Sequence, residues 1–242
     1  MLVNAQTAIS TSTVLLVPYS KWHVPRYHDW MKDEEIQQAT ASEPLSLDEE
    51  YAMQQSWRQD PDKLTFIVCR ASPTGTGGFP LQDEDDSPDR MIGDVNLFLR
   101  VEDGEDGDSD AQIIGEIELM IAEKRNQRKG FGKATLLAFL RYLGDHEGEI
   151  LEEFVQGDPT AATALGTAGG KDAFRLSWLS VKIGQDNTRS LGLFEGLLFQ
   201  KVSEEASYFG EFELRRKDLH QRDVDLHALV GYVELAYERS VS

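Results

Sequence analysis

The sequence predicts an α/β (α+β layered) chain, in which short apolar strands alternate with helices around one central sheet. Three observations lead there. Ile113–Ala122 carries Glu116, Ile117, Glu118 and Leu119 in the period of two of a strand, whereas Thr135–Leu143 has the length and composition of a buried helix. Between them Gln127–Lys133 reads Gln-Arg-Lys-Gly-Phe-Gly-Lys, which puts two glycines at a strand-to-helix junction. Four more runs, Thr13–Pro18, Thr65–Arg70, Met91–Arg100 and Leu176–Ile183, are apolar and too short for helices. A chain of 242 residues with 40% hydrophobic content suits one such domain with insertions, or two small ones.

In chain order, Thr13–Pro18 is the first predicted strand, rich in Val and Leu and stopped by Pro18. Val24–Met31 follows as a helix, with Val24, Tyr27, Trp30 and Met31 on one face and Pro25 in the first turn. His23 and His28 lie here with nothing nearby to complete a metal set, so they read as packing or solvated residues. Ser46 is a predicted N-cap with Glu49 three residues on, and it opens a helix whose Tyr51 and Trp57 read first as core residues. Thr65–Arg70 and Met91–Arg100 are the second and third strands, and Cys69, the single cysteine, reads as a small core residue.

Three stretches read as inserts. Ala71–Arg90 holds five acids among Pro, Gly and Ser, with almost nothing to bury, and Glu102–Asp110 holds six acids and no base. Gly144–Lys171 begins acidic and continues as a Gly/Ala/Thr stretch of linker type. Asn187 opens a helix that runs through Phe194. Phe199–Tyr208 and Gly210–Lys217 read as further strands; in the tail, Val224–Val230 suits a helix and Gly231–Tyr237 alternates like a strand.

The glycine junction carries the chemistry. At a helix start the first amides lack carbonyl partners and the helix dipole adds partial positive charge, so the backbone is set to hold an anion. Gly130 and Gly132 lack a Cβ that would obstruct a ligand. Lys124, Arg125, Arg128, Lys129 and Lys133 surround the turn against one acid, Glu123, in a chain of net charge -19. A phosphate-bearing ligand is the economical reading. It is not a nucleotide by the usual motifs: a dinucleotide fingerprint needs Gly where Thr135 stands, and a P-loop needs Gly at Gln127 and Ser or Thr at Ala134. The other Gly-Lys pair, Gly170-Lys171, fails the same test at Leu165 and Asp172.

What remains is Gln/Arg-x-x-Gly-x-Gly/Ala, and in this the chain resembles the GNAT acetyltransferases. A second landmark follows in the right order: the strand Leu176–Ile183, then Asn187-x-x-Ser190-x-x-Leu193-Phe194, with Leu198-Phe199 where that family usually has Gly-Phe. Val14–Tyr19, Val24–Met31, Thr40–Trp57, Thr65–Val68, Gly93–Leu99 and Gly115–Ala122 extend the resemblance to most of residues 13–209. They are similar to a GNAT subgroup that acetylates protein N-termini.

The resemblance implies a mixed central sheet of about six to seven strands flanked by helices. It implies one domain at 13–219, inserts at 71–90, 102–111 and 144–172, and a C-terminal extension at 220–242. It implies acetyl-CoA as cosubstrate, held by Gln127, Arg128, Lys129, Gly130, Phe131, Gly132 and Lys133 at the pyrophosphate. Met120, Ile121 and Ala122 would offer free amides to the pantetheine and the thioester carbonyl, and Asn187 and Phe194 would contact the same arm. Glu116 and Glu118 share one strand face and are the candidate catalytic carboxylates, acting on an amine through water or attracting an ammonium; the plain alternative is a pair of solvated glutamates. Phe194 stands where many family members have a tyrosine as general acid, and Tyr208 and Tyr232 are candidate substitutes.

The expected acceptor is a protein amine, with tubulin N-termini as the candidate substrate; acidic loops favour a cationic one. A GNAT-fold module that docks a partner such as a microtubule without catalysis is the competing reading, and acetylation of a small amine a third. The negative charge argues against a nucleic-acid partner. Residues 1–12 have no signal-peptide pattern and no run approaches the ~18 apolar residues of a membrane helix. The expectation is a cytoplasmic protein, with the nucleus as the other compartment, and no metal.

Overall fold

The computed structural model describes residues 1–40, 42–71, 81–102, 111–165, 174–219 and 229–239. Among these, the strands are β1 (Thr7–Ser10), β2 (Val14–Pro18), β3 (Lys63–Arg70), β4 (Met91–Glu102), β5 (Gln112–Ile121), β6 (Leu176–Gly184), β7 (Gln200–Lys201), β8 (Glu211–Arg216) and β9 (Val233–Ala236). The helices are α1 (Val24–Trp30), α2 (Glu34–Ala39), α3 (Leu47–Gln59), α4 (Phe131–Asp145), α5 (Glu147–Gly157), α6 (Pro159–Leu165) and α7 (Thr188–Glu195). The strands are hydrogen-bonded in the order β7-β8-β6-β5-β4-β3-β2-β1-β9. Nine strands replace the expected six to seven: β1, four residues long, is too short to show a period, and β9 comes from the tail that the resemblance does not cover. By contact the chain divides into two compact units, and β4 and β5 each run from one into the other.

The first unit holds Met1–Asn96, Leu119–Phe139 and the C-terminal segment from Leu229. β2 lies antiparallel between β1 and β3, with Val14 opposite Arg70 and Pro18 opposite Phe66, and β9 pairs along β1 from Thr7↔Ala236 to Ser10↔Val233. Leu15, Val17, Ile67, Cys69 and Met91 form one apolar cluster with Val24, Tyr27 and Trp30 of α1. Burial pushes the Cys69 thiol far above its ordinary range, which fits the core role expected of it. α3 starts with the expected capping box, the Ser46 hydroxyl accepting from Glu49 N–H and the Glu49 carboxylate from Ser46 N–H. The residues that α3 buries are polar, Glu50 and Gln54, and Tyr51 is exposed rather than in the core.

The insert at 71–90 was expected from its composition to bury almost nothing, and it does contain a buried group. Asp86 is 3% exposed, and its Oδ2 accepts from His23 Nε2 at 3.0 Å, Trp22 Nε1 at 3.2 Å and the Tyr237 hydroxyl at 2.5 Å. Arg239 stands 3.0 Å from the other oxygen. Ser20 N–H donates to His23 Nδ1, which leaves the proton of a neutral ring on Nε2, facing Asp86. Burial alone would raise Asp86, but the bonds from His23 and Tyr237 outweigh it and hold the carboxyl below its ordinary value. Residues 72–80 of this insert lie outside the described residues, as do 103–110 and 166–173 of the others.

The second unit holds Leu97–Glu118 and the segment from Leu140 through β8. β6 runs parallel to β5 from Ile113↔Leu176 to Glu116↔Ser180 and antiparallel to β8 from Leu179↔Arg216 to Gly184↔Glu211. A Cβ on Gly115 would come within 2.6 Å of Leu97 Cδ1, so a larger residue here would require the leucines packed on it to shift. The insert at 144–171 is helical where it is described: Ile150, Leu151 and Phe154 of α5 are all buried, on a helix whose acids disguise its apolar face, and the Gly/Ala/Thr stretch expected as a linker begins with α6. The strand expected at Phe199–Tyr208 is reduced to Gln200–Lys201 and then gives way to turns, because the following Ser203-Glu204-Glu205 has no side chain for a sheet face. Leu198, in place of the usual glycine, takes φ 67 and carries the strain a side chain meets there. In the tail, the alternation at 231–237 does form a strand, while the helix expected at 224–230 lies almost wholly outside the described residues.

Candidate functional site

β5 ends at Ile121, a short 3-10 turn crosses Lys124–Asn126, and α4 begins at Phe131. Two residues between them take left-handed backbone: Arg128 at φ 63 and Gly130 at φ 84. For Arg128 that conformation costs roughly 1–2 kcal/mol, a strain that recurs where backbone amides are turned toward a ligand. A Cβ on Gly130 would meet nothing within 4 Å, so glycine is required there by its φ and not by crowding. Gly130 then leads into α4, its carbonyl accepting from Ala134 N–H at 3.0 Å. Gln127 folds back on the strand, its Nε2 donating to Ile121 O at 3.0 Å.

The five bases of this turn divide into two sets. Lys124 pairs with Glu35 at 2.6 Å, and Arg125 pairs with Glu123, which also takes Arg26 and the Asn126 side chain. Arg128, Lys129 and Lys133 are exposed and have no ion-pair partner among the described residues. The nearby acid is therefore neutralised from elsewhere, and three cations are left at a helix N-terminus whose preceding backbone is left-handed at two positions. Such an arrangement favours negative charge.

Of the three amides expected from β5, one keeps the required direction. Met120 turns its carbonyl toward β4, where a Cβ on Gly93 would lie 1.8 Å from it, and Ala122 N–H is already bonded to Ile92 O at 3.0 Å. By strand alternation Ile121 points its amide to the opposite edge, together with Leu119, which sequence reasoning did not single out. The expectation for Ala122, and by the same alternation for Met120, is corrected: both face the neighbouring strand.

Glu116, Glu118, Asn187, Phe194 and Tyr208 belong to the second unit, and Tyr232 to the first. Glu116 Oε2 is bonded by Arg100 NH1 at 3.0 Å and Lys182 Nζ at 3.1 Å, so this carboxylate is occupied by two cations and is not an open base. Glu118 is exposed. Asn187 caps α7, its side-chain oxygen accepting from Ser190 N–H at 3.2 Å. Phe194 is 3% exposed and meets Phe199 edge-on at 5.1 Å, which makes it part of the core rather than an open surface. Tyr208 is 99% exposed, and the Tyr232 hydroxyl is given to Glu234.

A second polar cluster, unanticipated, lies in the first unit and draws on residues of β4, α1 and α3. Asp94 is 2% exposed; its Oδ2 accepts from Asn96 Nδ2 at 2.8 Å and the Tyr27 hydroxyl at 3.4 Å, while Oδ1 has no partner. Asn96 Oδ1, Glu50 Oε2, Tyr19 Oη and Trp30 Nε1 are likewise buried without a hydrogen bond. Desolvation pushes the Asp94 carboxyl up to about 6, against the lowering effect of Asn96 and Tyr27, and it raises Glu50 above its ordinary value against His28 at 3.8 Å. Burial, then Glu50, then Asp94 drive the Tyr19 hydroxyl far upward, so both acids act on that one group. The available signal was Asp94 and Asn96, two apart in the otherwise apolar run Met91–Leu99.

Comparison with known proteins agrees with this geometry. Residues 13–200 match the model of the acetyltransferase (GNAT) domain. The "N-acetyltransferase 9-like protein" of Schizosaccharomyces pombe is 39% identical over 233 residues, spanning 88% of this chain and 97% of that one. The human "Alpha/beta-tubulin-N-acetyltransferase 9" is 40% identical over 216 residues, spanning 89% and 85%. Among solved structures, a microcin C7 self-immunity acetyltransferase in complex with acetyl-CoA and AMP superposes with a TM-score of 0.51 at 8% identity, covering 85% of this chain and 93% of its own.

Proposed function

This chain belongs to the GNAT acetyltransferase family, and from that premise we propose that it transfers the acetyl group of acetyl-CoA to a protein amine, the α-amine of a tubulin-type N-terminus. The observation that carries the reading is the turn before α4: left-handed Arg128 and Gly130, with Arg128, Lys129 and Lys133 unengaged among the described residues. These residues fit the pyrophosphate of acetyl-CoA, since the helix dipole and the three cations all favour negative charge. When bound, acetyl-CoA supplies an activated thioester. The chain's own part is to anchor the phosphates, direct the outward amide of Ile121, and receive the proton that an ammonium must lose before its nitrogen can attack. The acceptor class rests on the printed names of relatives at 39–40% identity. A strongly acidic chain also favours an acceptor bearing positive charge, such as an N-terminus followed by arginine. A cytoplasmic location suits such an acceptor.

Isothermal titration with acetyl-CoA, followed by thiol release with a Met-Arg-Glu peptide, tests the proposal. Saturable binding and turnover are expected, and Lys129→Glu should weaken acetyl-CoA by about tenfold through the reversed charge. Binding without turnover on any free N-terminal peptide would refute the acyl-transfer reading and leave a ligand-binding module. Absence of binding would refute the cofactor assignment.

A further inference from the structure

The fold leaves Asp94 without a positive charge. Among the described residues no cation lies within ion-pair distance of it, and the only cationic side chain near the second acid, Glu50, is His28 at 3.8 Å. A buried carboxylate is normally protonated, paired or metal-bound. Here one oxygen has its two donors and the other has none, although the residue is almost fully enclosed. The neighbouring orphan atoms share a chemical sense. Asp94 Oδ1, Asn96 Oδ1 and Glu50 Oε2 can only accept while the acids are ionised, and Tyr19 Oη can accept as well as donate. A ligand that satisfied them would bring several hydrogens and a positive charge.

A metal ion fits poorly, since no group of three or more His, Cys, Asp or Glu gathers among the described residues, and a hard cation asks for about six oxygens. A primary ammonium matches this chemistry. It has three donors and no acceptor, and the side chains around Asp94 are aromatic, the Tyr19 and Tyr27 rings packing 5.2 Å apart and Tyr27 and Trp30 6.2 Å apart.

We propose that Asp94 and Asn96 form the seat of the acceptor's ammonium, and that Asp94 is the group that removes its proton. The inference rests on the acetyl-transfer reading above. The ammonium gives one proton to the Asp94 carboxylate and becomes a neutral amine. Its lone pair then forms the N–C bond to the acetyl carbon as the C–S bond breaks, and the sulfur leaves with the electron pair. The second proton lost from nitrogen goes to that thiolate, and Asp94 returns its own to solvent. Glu50 on α3 and His28 on α1 face the same region, so the charge of this pair sets the field in which Asp94 works. Asp94 is thus both recognition element and base, on β4, while Glu116 on β5 remains in its ion pair.

The test separates this seat from the cofactor cradle. Met-Arg-Glu and its N-acetylated counterpart are titrated into the full chain, with and without acetyl-CoA, and into Asp94→Asn. The free amine is expected to bind at least ~10-fold more tightly than the blocked peptide, worth ~1.4 kcal/mol, with Asp94→Asn removing the difference. Acetyl-CoA affinity should stay within about twofold in the variant, which also reports that it is folded. A variant that still discriminates, or a wild-type protein that does not, overturns the proposal. Loss of acetyl-CoA binding by the wild type would instead overturn the donor assignment, and the two failures are read in separate titrations.

Discussion

Asp94→Asn should make the protein less sensitive to alkaline pH even before any ligand is added. Asparagine keeps the shape and can still accept from Asn96 and Tyr27, but it has no charge to desolvate. In the native state burial moves the Asp94 carboxyl from the ordinary 3.8 up to about 6. The folded chain therefore holds this proton more tightly than the unfolded chain, and the stabilisation it gives is complete below about 3.8 and lost as pH rises through about 6. A shift of about two units corresponds to ~3 kcal/mol at ~1.4 kcal/mol per unit. The wild type should thus lose ~3 kcal/mol relative to Asp94→Asn between pH 4 and pH 7, or roughly 6–12 °C in Tm for a chain of this size. Urea unfolding of both proteins across that range measures it, because carboxylates remote from Asp94 contribute equally and cancel in the difference. Curves that stay parallel would show that Asp94 is hydrated or paired with a charge, and would remove the ground for an ammonium seat.

Arg128→Gly should have opposite effects on stability and on binding. Relief of the left-handed strain, less the added flexibility of glycine, gains about 0.5–1 kcal/mol by thermal unfolding, while loss of a cation weakens acetyl-CoA several-fold by titration. Asp86→Ala should cost about 3–5 kcal/mol in urea, since it strands His23, Trp22, Tyr237 and Arg239 around an empty centre. Phe194→Ala should cost a similar ~3–5 kcal/mol and leave acetyl-CoA affinity within about twofold, as a core ring and not a ligand contact would.

Elements whose pattern comes from one dominant force could be read before the structure was known. β5 showed its alternation, α4 its length, and Ser46 with Glu49 its reciprocal cap, because each signal is local. The glycine turn was legible as a basic strand-to-helix junction, but the conformations and pairings within it were not. That Gly130 is needed for φ 84, that Arg128 shares this conformation, and that Lys124 and Arg125 are already paired all depend on residues elsewhere in the fold. Composition misled where it averaged over a segment: Asp86 lies in an acidic stretch but is buried by partners more than 60 positions away, and Ile150, Leu151 and Phe154 were hidden among glutamates. Asp94 and Asn96 were visible as polar breaks in a strand. Their lack of partners, which makes them informative, is a property of the packed interior alone.

The pairing of β1 with β9 bears on how the protein is made. The two strands are separated by some 220 residues, so during synthesis β1 must wait until that length of chain has left the ribosome. At roughly 5–20 residues per second that delay is on the order of 10–45 s. Throughout it, the backbone edge later covered by Val233–Ala236 stands open, a template for pairing with another nascent chain. The Asp86 centre cannot close either, because Tyr237 and Arg239 follow Asp86 by more than 150 residues. A stalled or shortened product would therefore present a bare strand beside a buried aspartate stripped of two of its four partners, a form suited to capture by chaperones and quality-control proteases.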